Sequence, residues 1–305
     1  MVDQQTAHHQ RGAAMMSPKP SAADLLSAWV IARSSPVAAD WFRSQIESLK
    51  SSSSEKQIYL ALGYATRKLG KSDLALGPKD RAAAAAARPG WDPAEWSIDQ
   101  AARIAFVLAS HHSESMKFKA RLEKLFNTAD IGELIAFYQG LPLYPDATLH
   151  TARAREGTRS AMQPIFEAVA HRNPFPREQF DENAWNHMVL KALFIGSKLD
   201  PIQGLDERAN PSLARMLCDY AHERWAAQRL VSPELWRCVG PHADAAAVED
   251  LTRVLSTGGK LEREAAALAL SAARKPEADK PLRSHPQLYE AVRAGKLTWA
   301  DIART

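Results

Sequence analysis

NPFPREQFDENAWNHMVLKALF (Asn173–Phe194) and GLDERANPSLARMLCDYAHERWAAQRLVSPELWRCVGP (Gly204–Pro241) are the two stretches whose reading decides the fold. In the first, Asp181 stands where a helix cap belongs and Glu182 follows it. Ala184, Trp185, Met188, Val189, Ala192, Leu193 and Ile195 then recur at helical spacing and cover one broad face. The opposite face holds Asn183, His187, Leu190, Lys191 and Phe194. A solvated face rarely carries Leu and Phe, so the expectation is a helix covered on both sides. Asn183, His187 and Lys191 step by four along one line and can reach a common neighbour. With Asn186 nearby, they are candidates to offer donors to a ligand's oxygen atoms. The competing reading has them tie adjacent helix ends and loops, because a buried polar group without a partner costs roughly 1–3 kcal/mol.

The second stretch opens on Asn210-Pro211, a capping residue before a first-turn proline. Leu213, Met216, Leu217 and Tyr220 form its apolar stripe, and Arg224 falls in the middle of that stripe. An arginine there calls for a carboxylate partner, with Asp219 and Glu223 at helical spacing, or for a rim position with only its stem covered. His222-Glu223 supplies half of an HExxH zinc motif, but position 226 is alanine and the second histidine is missing. Between the helices, Asp206 and Arg208 sit in a loop, where function often resides. Upstream, ARAREGTRS (Ala152–Ser160) places Arg153, Arg155, Glu156 and Arg159 within one short segment. Guanidinium groups suit carboxylate or phosphate, and the alternative is ion pairing on a solvated face. NPFP reads as a rigid extended link that steers the chain into the helix after it.

Outward from this centre the text stays helical. Leu25, Leu26, Trp29 and Val30 recur at helical spacing, as do Trp41, Phe42, Ile46 and Leu49, then Ile58, Leu62, Ala65 and Leu69. Ser35-Pro36 and Ser232-Pro233 read as helix starts, Ser54-x-x-Gln57 and Ser97-x-x-Gln100 as capping boxes. Thr128 is the expected cap of a helix that Gly140 ends. The alanine tract Ala82–Ala87 precedes a break, RPGWDP. That break either closes an N-terminal helical unit or is a simple loop. Near the C-terminus two apolar stripes, Ala247 to Leu255 and Leu261 to Ala272, flank Gly258-Gly259 and look like a HEAT-type helix pair. No run of alternating β-branched residues marks a strand. The reading is therefore all-α, an irregular helical-repeat (HEAT-like) array of antiparallel helices. Residues 1–20 read as a disordered tail. Residues 21–305 read as a single domain, with N-terminal helices (21–90), a polar-lined core (91–241) and C-terminal helices (242–305).

The chain has 305 residues, 46% hydrophobic and 24% charged, the balance of a soluble globular protein. Its 39 Lys and Arg against 35 Asp and Glu leave a net charge of +4, too little to argue for nucleic acid without clustering. Two cysteines, Cys218 and Cys238, fit a reducing compartment and read as small buried hydrophobes. No secretory h-region and no apolar run of roughly 18 residues is visible. The reading is a cytoplasmic protein with no transmembrane segment. No dinucleotide fingerprint, phosphate loop, nucleophile elbow or paired acidic motif occurs, and no cofactor is expected.

AWNHMVLKALF, GLDERAN, LARMLCDYAHERWAAQR and PELWRCVGP resemble the EboA family. TADIGELIAFYQGLPLYP, the RAREGTR element and NPFP match less closely. The likeness is most specific from about Leu134 to Pro241, looser from Ala22 to Leu125 and weak in the C-terminal helices. The resemblance implies metabolite traffic. Such proteins are encoded in a small bacterial and algal gene cluster linked to moving secondary-metabolite precursors from cytoplasm to periplasm, as for a cyanobacterial sunscreen pigment. The cluster also encodes a UbiA-like membrane prenyltransferase, a TatD-like hydrolase and a sugar-isomerase-like protein. The resemblance carries no catalytic residues.

Together these readings give a non-catalytic accessory protein in the export of a secondary-metabolite precursor. It would bind a small hydrophobic or aromatic metabolite, or a membrane-associated partner, in a polar-lined pocket between central helices. Contact with the inner membrane would run through partners such as the prenyltransferase. The candidate ligand-binding residues are Asn183, Asn186, His187, Lys191, Asp206, Arg208, Asp219, Tyr220, Glu223, Arg224, Arg155 and Arg159, with Trp185, Tyr220 and Trp225 as apolar walls. Two alternatives stay open: an enzyme with His187 as general acid/base and Lys191 or Arg224 holding an anion, and a pure protein–protein scaffold.

Overall fold

A computed structural model describes residues 20–51, 54–112, 114–273 and 275–304. The expected tail, apart from Pro20, lies outside the described residues. The described chain is all-α. Its first helices are α1 (Ala22–Arg33), α2 (Pro36–Ser51), α3 (Glu55–Leu69), α4 (Pro78–Ala87), α5 (Ile98–Ala109), α6 (Ser115–Thr128) and α7 (Ile131–Gln139). Then come α8 (Thr151–Gly157), α9 (Gln163–Ala170), α10 (Phe175–Gln179), α11 (Glu182–Ile195), α12 (Pro211–Ala226) and α13 (Leu235–Val239). The last are α14 (Ala245–Thr257), α15 (Lys260–Ala272), α16 (Pro276–Arg283), α17 (Pro286–Arg293) and α18 (Trp299–Ala303). Extended pairing among the described residues is limited to two isolated bridges, Asp73 with Ser97 and His171 with Ile202.

Two helices organise the packing. Around α5 lie α1, α2, α3 and α7. Nearly every residue of α5 is buried, including Asp99 and Arg103. Arg103 Nη1 donates to Asp99 Oδ2 at 2.9 Å, and Thr66 Oγ1 donates to the same oxygen at 2.6 Å. Around α15 lie α13, α14, α16, α17 and α18. Its buried face is Ala265, Ala266, Ala267, Ala269 and Leu270. Alanine keeps the packing surface low, so five neighbours can approach one helix. The turn after α13 also comes close at Gly240, where a Cβ would stand 2.6 Å from the Ala269 carbonyl oxygen. Between the hubs α7, α9, α11, α12 and α13 pack in succession, and one continuous set of buried residues runs from Leu25 to Ile302.

Most helix signals lie where the sequence places them. Asp181 accepts from Ala184 N at 2.8 Å and Asn210 from Leu213 N at 2.9 Å. Gln100 accepts from the Ser97 amide at 2.8 Å. Four readings are corrected. Gln57 closes no box on Ser54; its Nε2 donates to Gln45 Oε1 at 3.1 Å. Thr128 ends α6 instead of capping α7; Asp130 is the cap, in a reciprocal box with Glu133. Ser232-Pro233 forms a turn, and α13 begins only at Leu235. NPFP is not extended: Pro174 is already in the helical region and α10 starts at Phe175. Asn173 makes this sharp entry possible. Its Nδ2 donates to the carbonyls of Tyr138 and Ala168, and its Oδ1 accepts from Phe175 N at 3.0 Å.

The RPGWDP break is a loop whose Trp91 is buried between Trp29 and Trp96, at 5.5 and 6.0 Å between ring centroids. The alanine tract forms most of α4, with only Ala84 fully covered. Cys218 and Cys238 are free, and burial pushes both thiols up to about 12.

Candidate functional site: an open cationic groove

Helix α11 is covered on one side, not two. Its buried face is Ala184, Trp185, Asn186, Met188, Val189, Ala192 and Leu193. Asn183 and His187 are exposed, Lys191 is half-buried, and Phe194 is 71% exposed. The polar line therefore looks outward. It meets the end of α8, where Arg155, Thr158 and Arg159 form the facing wall of a groove of about 350 Å³. Buried Ala184 and Met188 make its floor, with buried Thr158 at the foot of the wall. Five sequence-derived candidates come together here: Arg155, Arg159, Asn183, His187 and Lys191.

The groove is built from two capped ends. Helix α8 stops at Gly157, where a Cβ would lie 2.7 Å from both Tyr138 and Val169, so the chain there runs tight against α7 and α9. Arg159 follows this stop and is exposed, and it makes no side-chain hydrogen bond or ion pair among the described residues. Arg155 reaches Asp181, the cap of α11, at a loose 3.4 Å. Lys191 lies over the Phe194 ring, its Nζ 5.3 Å from the centroid, and pairs with no carboxylate among the described residues. His187 Nδ1 is 2.8 Å from the Asn183 carbonyl oxygen. A carbonyl only accepts, so Nδ1–H is the donor and Nε2 of the neutral ring is left as an acceptor. Three basic side chains thus edge a small, mostly apolar floor, with the Asp181 carboxylate at the rim.

The remaining candidates lie elsewhere. Asn186 is buried and exchanges amide hydrogen bonds with Asn210, at 3.2 and 2.8 Å, which locks α11 to the start of α12. Arg208 donates to the carbonyls of Pro176, Arg177 and Phe180, and stacks over Trp185 at 4.6 Å. It holds the end of α10 and closes over the indole, so Trp185 is core and not a pocket wall. Asp206 accepts two bonds from Arg237, at 2.7 and 2.8 Å, and Asp200 takes a third. This pairing holds the Arg237 guanidinium above its ordinary range despite burial.

Arg224 takes the rim option. Its Nε donates to the Leu230 carbonyl at 2.9 Å and neither Asp219 nor Glu223 pairs with it. Tyr220 donates to the Leu193 carbonyl at 3.3 Å. Trp225 stacks on Trp236 at 5.9 Å under the Arg253 guanidinium. Asp219 faces a separate cleft with Cys218 and His222, where His222 pairs with Asp250 at 2.7 Å. Among the described residues no three His, Cys, Asp or Glu side chains gather to hold a metal ion. Arg153 turns away from the groove to Glu123 and Glu156, so the arginine segment divides between ion pairing and the groove. Thr158 and Met188 are groove residues that sequence reading missed. Their only signal is position, one turn beyond Arg155 and beside His187.

The fold and site define an all-helical protein with an open, anion-compatible groove beside its central helices. A family model described as "Metabolite traffic protein EboA" matches residues 22–240, most of the chain, and the protein belongs to the EboA family. No curated protein and no solved structure matches the chain. The matched segment holds the whole groove and ends at Gly240, where the chain meets α15. No helix among the described residues is long and apolar enough to cross a membrane.

Proposed function

We propose that this chain is a non-catalytic accessory protein that binds an acidic secondary-metabolite precursor in the groove between α8 and α11 during its export. One observation carries the reading. Arg155, Arg159 and Lys191 converge on one apolar-floored groove, and two of the three have no carboxylate partner among the described residues. Unspent cations held by rigid helix ends suit a carboxylate or phosphate, and Met188 and Ala184 suit a short apolar portion beside it. The aromatic walls expected for a flat ring system are absent from this groove, so the acidic group is the recognised part. The protein acts in the cytoplasm, as a single domain with a HEAT-like C-terminal hairpin. It hands its cargo to membrane-bound partners of the UbiA-like prenyltransferase type.

The test is the double variant Arg159→Gln/Lys191→Gln. Arg159 is exposed, and half-buried Lys191 has no carboxylate partner among the described residues, so stability should change by less than about 1 kcal/mol. Complementation of a strain lacking the gene, and the small acidic molecules that co-purify with the protein, should both be lost. Normal complementation by the folded variant would overturn the assignment.

A second reading has one specific support. The Asn183 carbonyl fixes the tautomer of the neutral His187 ring and leaves Nε2, on a groove-lining residue, as its acceptor. Under that reading Lys191 holds the substrate's anion. Turnover of the co-purifying molecule by pure protein, abolished in His187→Gln, would establish it in place of the binding role.

A further inference from the structure

Leu230 is 84% exposed and Phe194 71%, the most exposed large aliphatic and the most exposed aromatic side chain among the described residues. Neither is a loose end. Helix α12 is stopped by Gln228, which takes a left-handed φ of 54° where glycine is usual. Gln228 N donates to Trp225 O at 3.0 Å and Arg229 N to Arg224 O at 2.8 Å. The Arg224 side chain then fixes the Leu230 carbonyl, and Val231 returns to the core. Leu230 is thus held outward by a closed hydrogen-bonded turn. Phe194 stands at the end of α11, beside the Leu193 carbonyl that Tyr220 holds. Tyr220 and Arg224 are one helical turn, roughly 6 Å, apart. Leu193 and Gly196 also line one cleft with Ser232 and Pro233. The two exposed side chains therefore project from neighbouring helix ends.

The charge around them is mainly positive. Lys191 lies over Phe194, Arg224 lies against Tyr220, and Arg229 is exposed beside Leu230. The last two turns of α11 and the connection 226–233 contain no carboxylate, and Glu223 is the one acidic residue in the final turn of α12. We propose that the Phe194–Leu230 edge is a docking surface for an anionic lipid bilayer. The two apolar tips enter the boundary between headgroups and acyl chains, and Lys191, Arg224 and Arg229 meet lipid phosphates. A protein partner of ordinary affinity needs about 800 Å² of complementary surface on each side. Two isolated protruding side chains flanked by three cationic ones suit a fluid, uniformly anionic surface better. Lys191 also lines the groove, so the groove opens beside the docked edge. The docking itself does not depend on what the groove holds.

The test is co-sedimentation of the full chain with vesicles of phosphatidylcholine alone and of phosphatidylcholine mixed with phosphatidylglycerol. The protein should partition to the mixed vesicles, weakly to the neutral ones, and be released by high salt. Phe194→Ser/Leu230→Ser should lower partitioning at least about tenfold, and Arg229→Gln roughly fivefold. The melting temperature should not change in either, because these side chains already face water. Arg159→Gln, which alters only the groove, should leave vesicle binding intact, so failure of the groove assignment and failure of this one are separable. No partitioning to anionic vesicles, or partitioning unchanged in the double serine variant, overturns the proposal. Loss of complementation in that variant without any vesicle binding would instead make the edge a protein interface, and overturns it equally.

Discussion

Asn173 shows how much a single amide can organise. It satisfies the carbonyls that end α7 and α9 and the first amide of α10, so three helices meet at one side chain. Asn173→Ala should cost about 3 kcal/mol, since it leaves buried groups of three elements unpaired; urea denaturation measures it. The same type of residue divides sharply in α11. Asn186 and Asn183 are three apart, yet one is buried against Asn210 and the other lines the groove. Their helical spacing was legible in the sequence, and it placed Asn183, His187 and Lys191 correctly on one line. What that line faced was not legible, because it depends on α8, whose end is set by the contact of Gly157 with α7 and α9.

At the scale of the element, the criterion that mixed polar and apolar faces mark an enclosed helix is sound, but the enclosed helix is α5. There Asp99 and Arg103 are buried side by side. Their short segment reads as ordinary amphipathic text because the pair hides within a run of alanines and isoleucines. In α11 the Leu190 and Phe194 positions suggested a cover that does not exist; Phe194 is exposed. Arg103→Ala should cost about 3–5 kcal/mol, as it strands a buried carboxylate. Arg103→Met with Asp99→Leu should recover much of that loss, which a double-mutant cycle by thermal denaturation would show. Asp181→Ala removes the cap of α11 and should cost about 1 kcal/mol. It also releases Arg155 towards the groove, so any acidic ligand should bind no more weakly.

The whole molecule carries a pH response that no single helix reveals. Burial holds His150 below the usual histidine range, and His171 likewise. His150 Nε2 donates to the Pro145 carbonyl at 3.1 Å, while Nδ1 is buried without a partner. A second proton would have no acceptor. The unfolded chain takes up protons at about pH 6.5, whereas the folded chain resists them. Stability is therefore full above that pH and falls as the solution is acidified below it towards the folded values. Melting temperature should be flat from about pH 8 to 7 and decline from about pH 6.5 to 5. His150→Gln should make that decline shallower.

Gly240 ends the matched part of the chain and lies against α15, one of several contacts between that part and the rest. A Cβ there would collide with the Ala269 backbone of α15, so Gly240→Ala should cost roughly 1–3 kcal/mol and loosen α14–α18 towards proteases. The demand for glycine thus originates in a helix that lies beyond residues 22–240, the span shared with the family. A relative without a counterpart of α15 is under no steric pressure at this position. Across the family, then, glycine here and an alanine-rich helix downstream should be gained and lost together. One residue near the end of the shared region would report, from sequence alone, which relatives carry the additional helical layer.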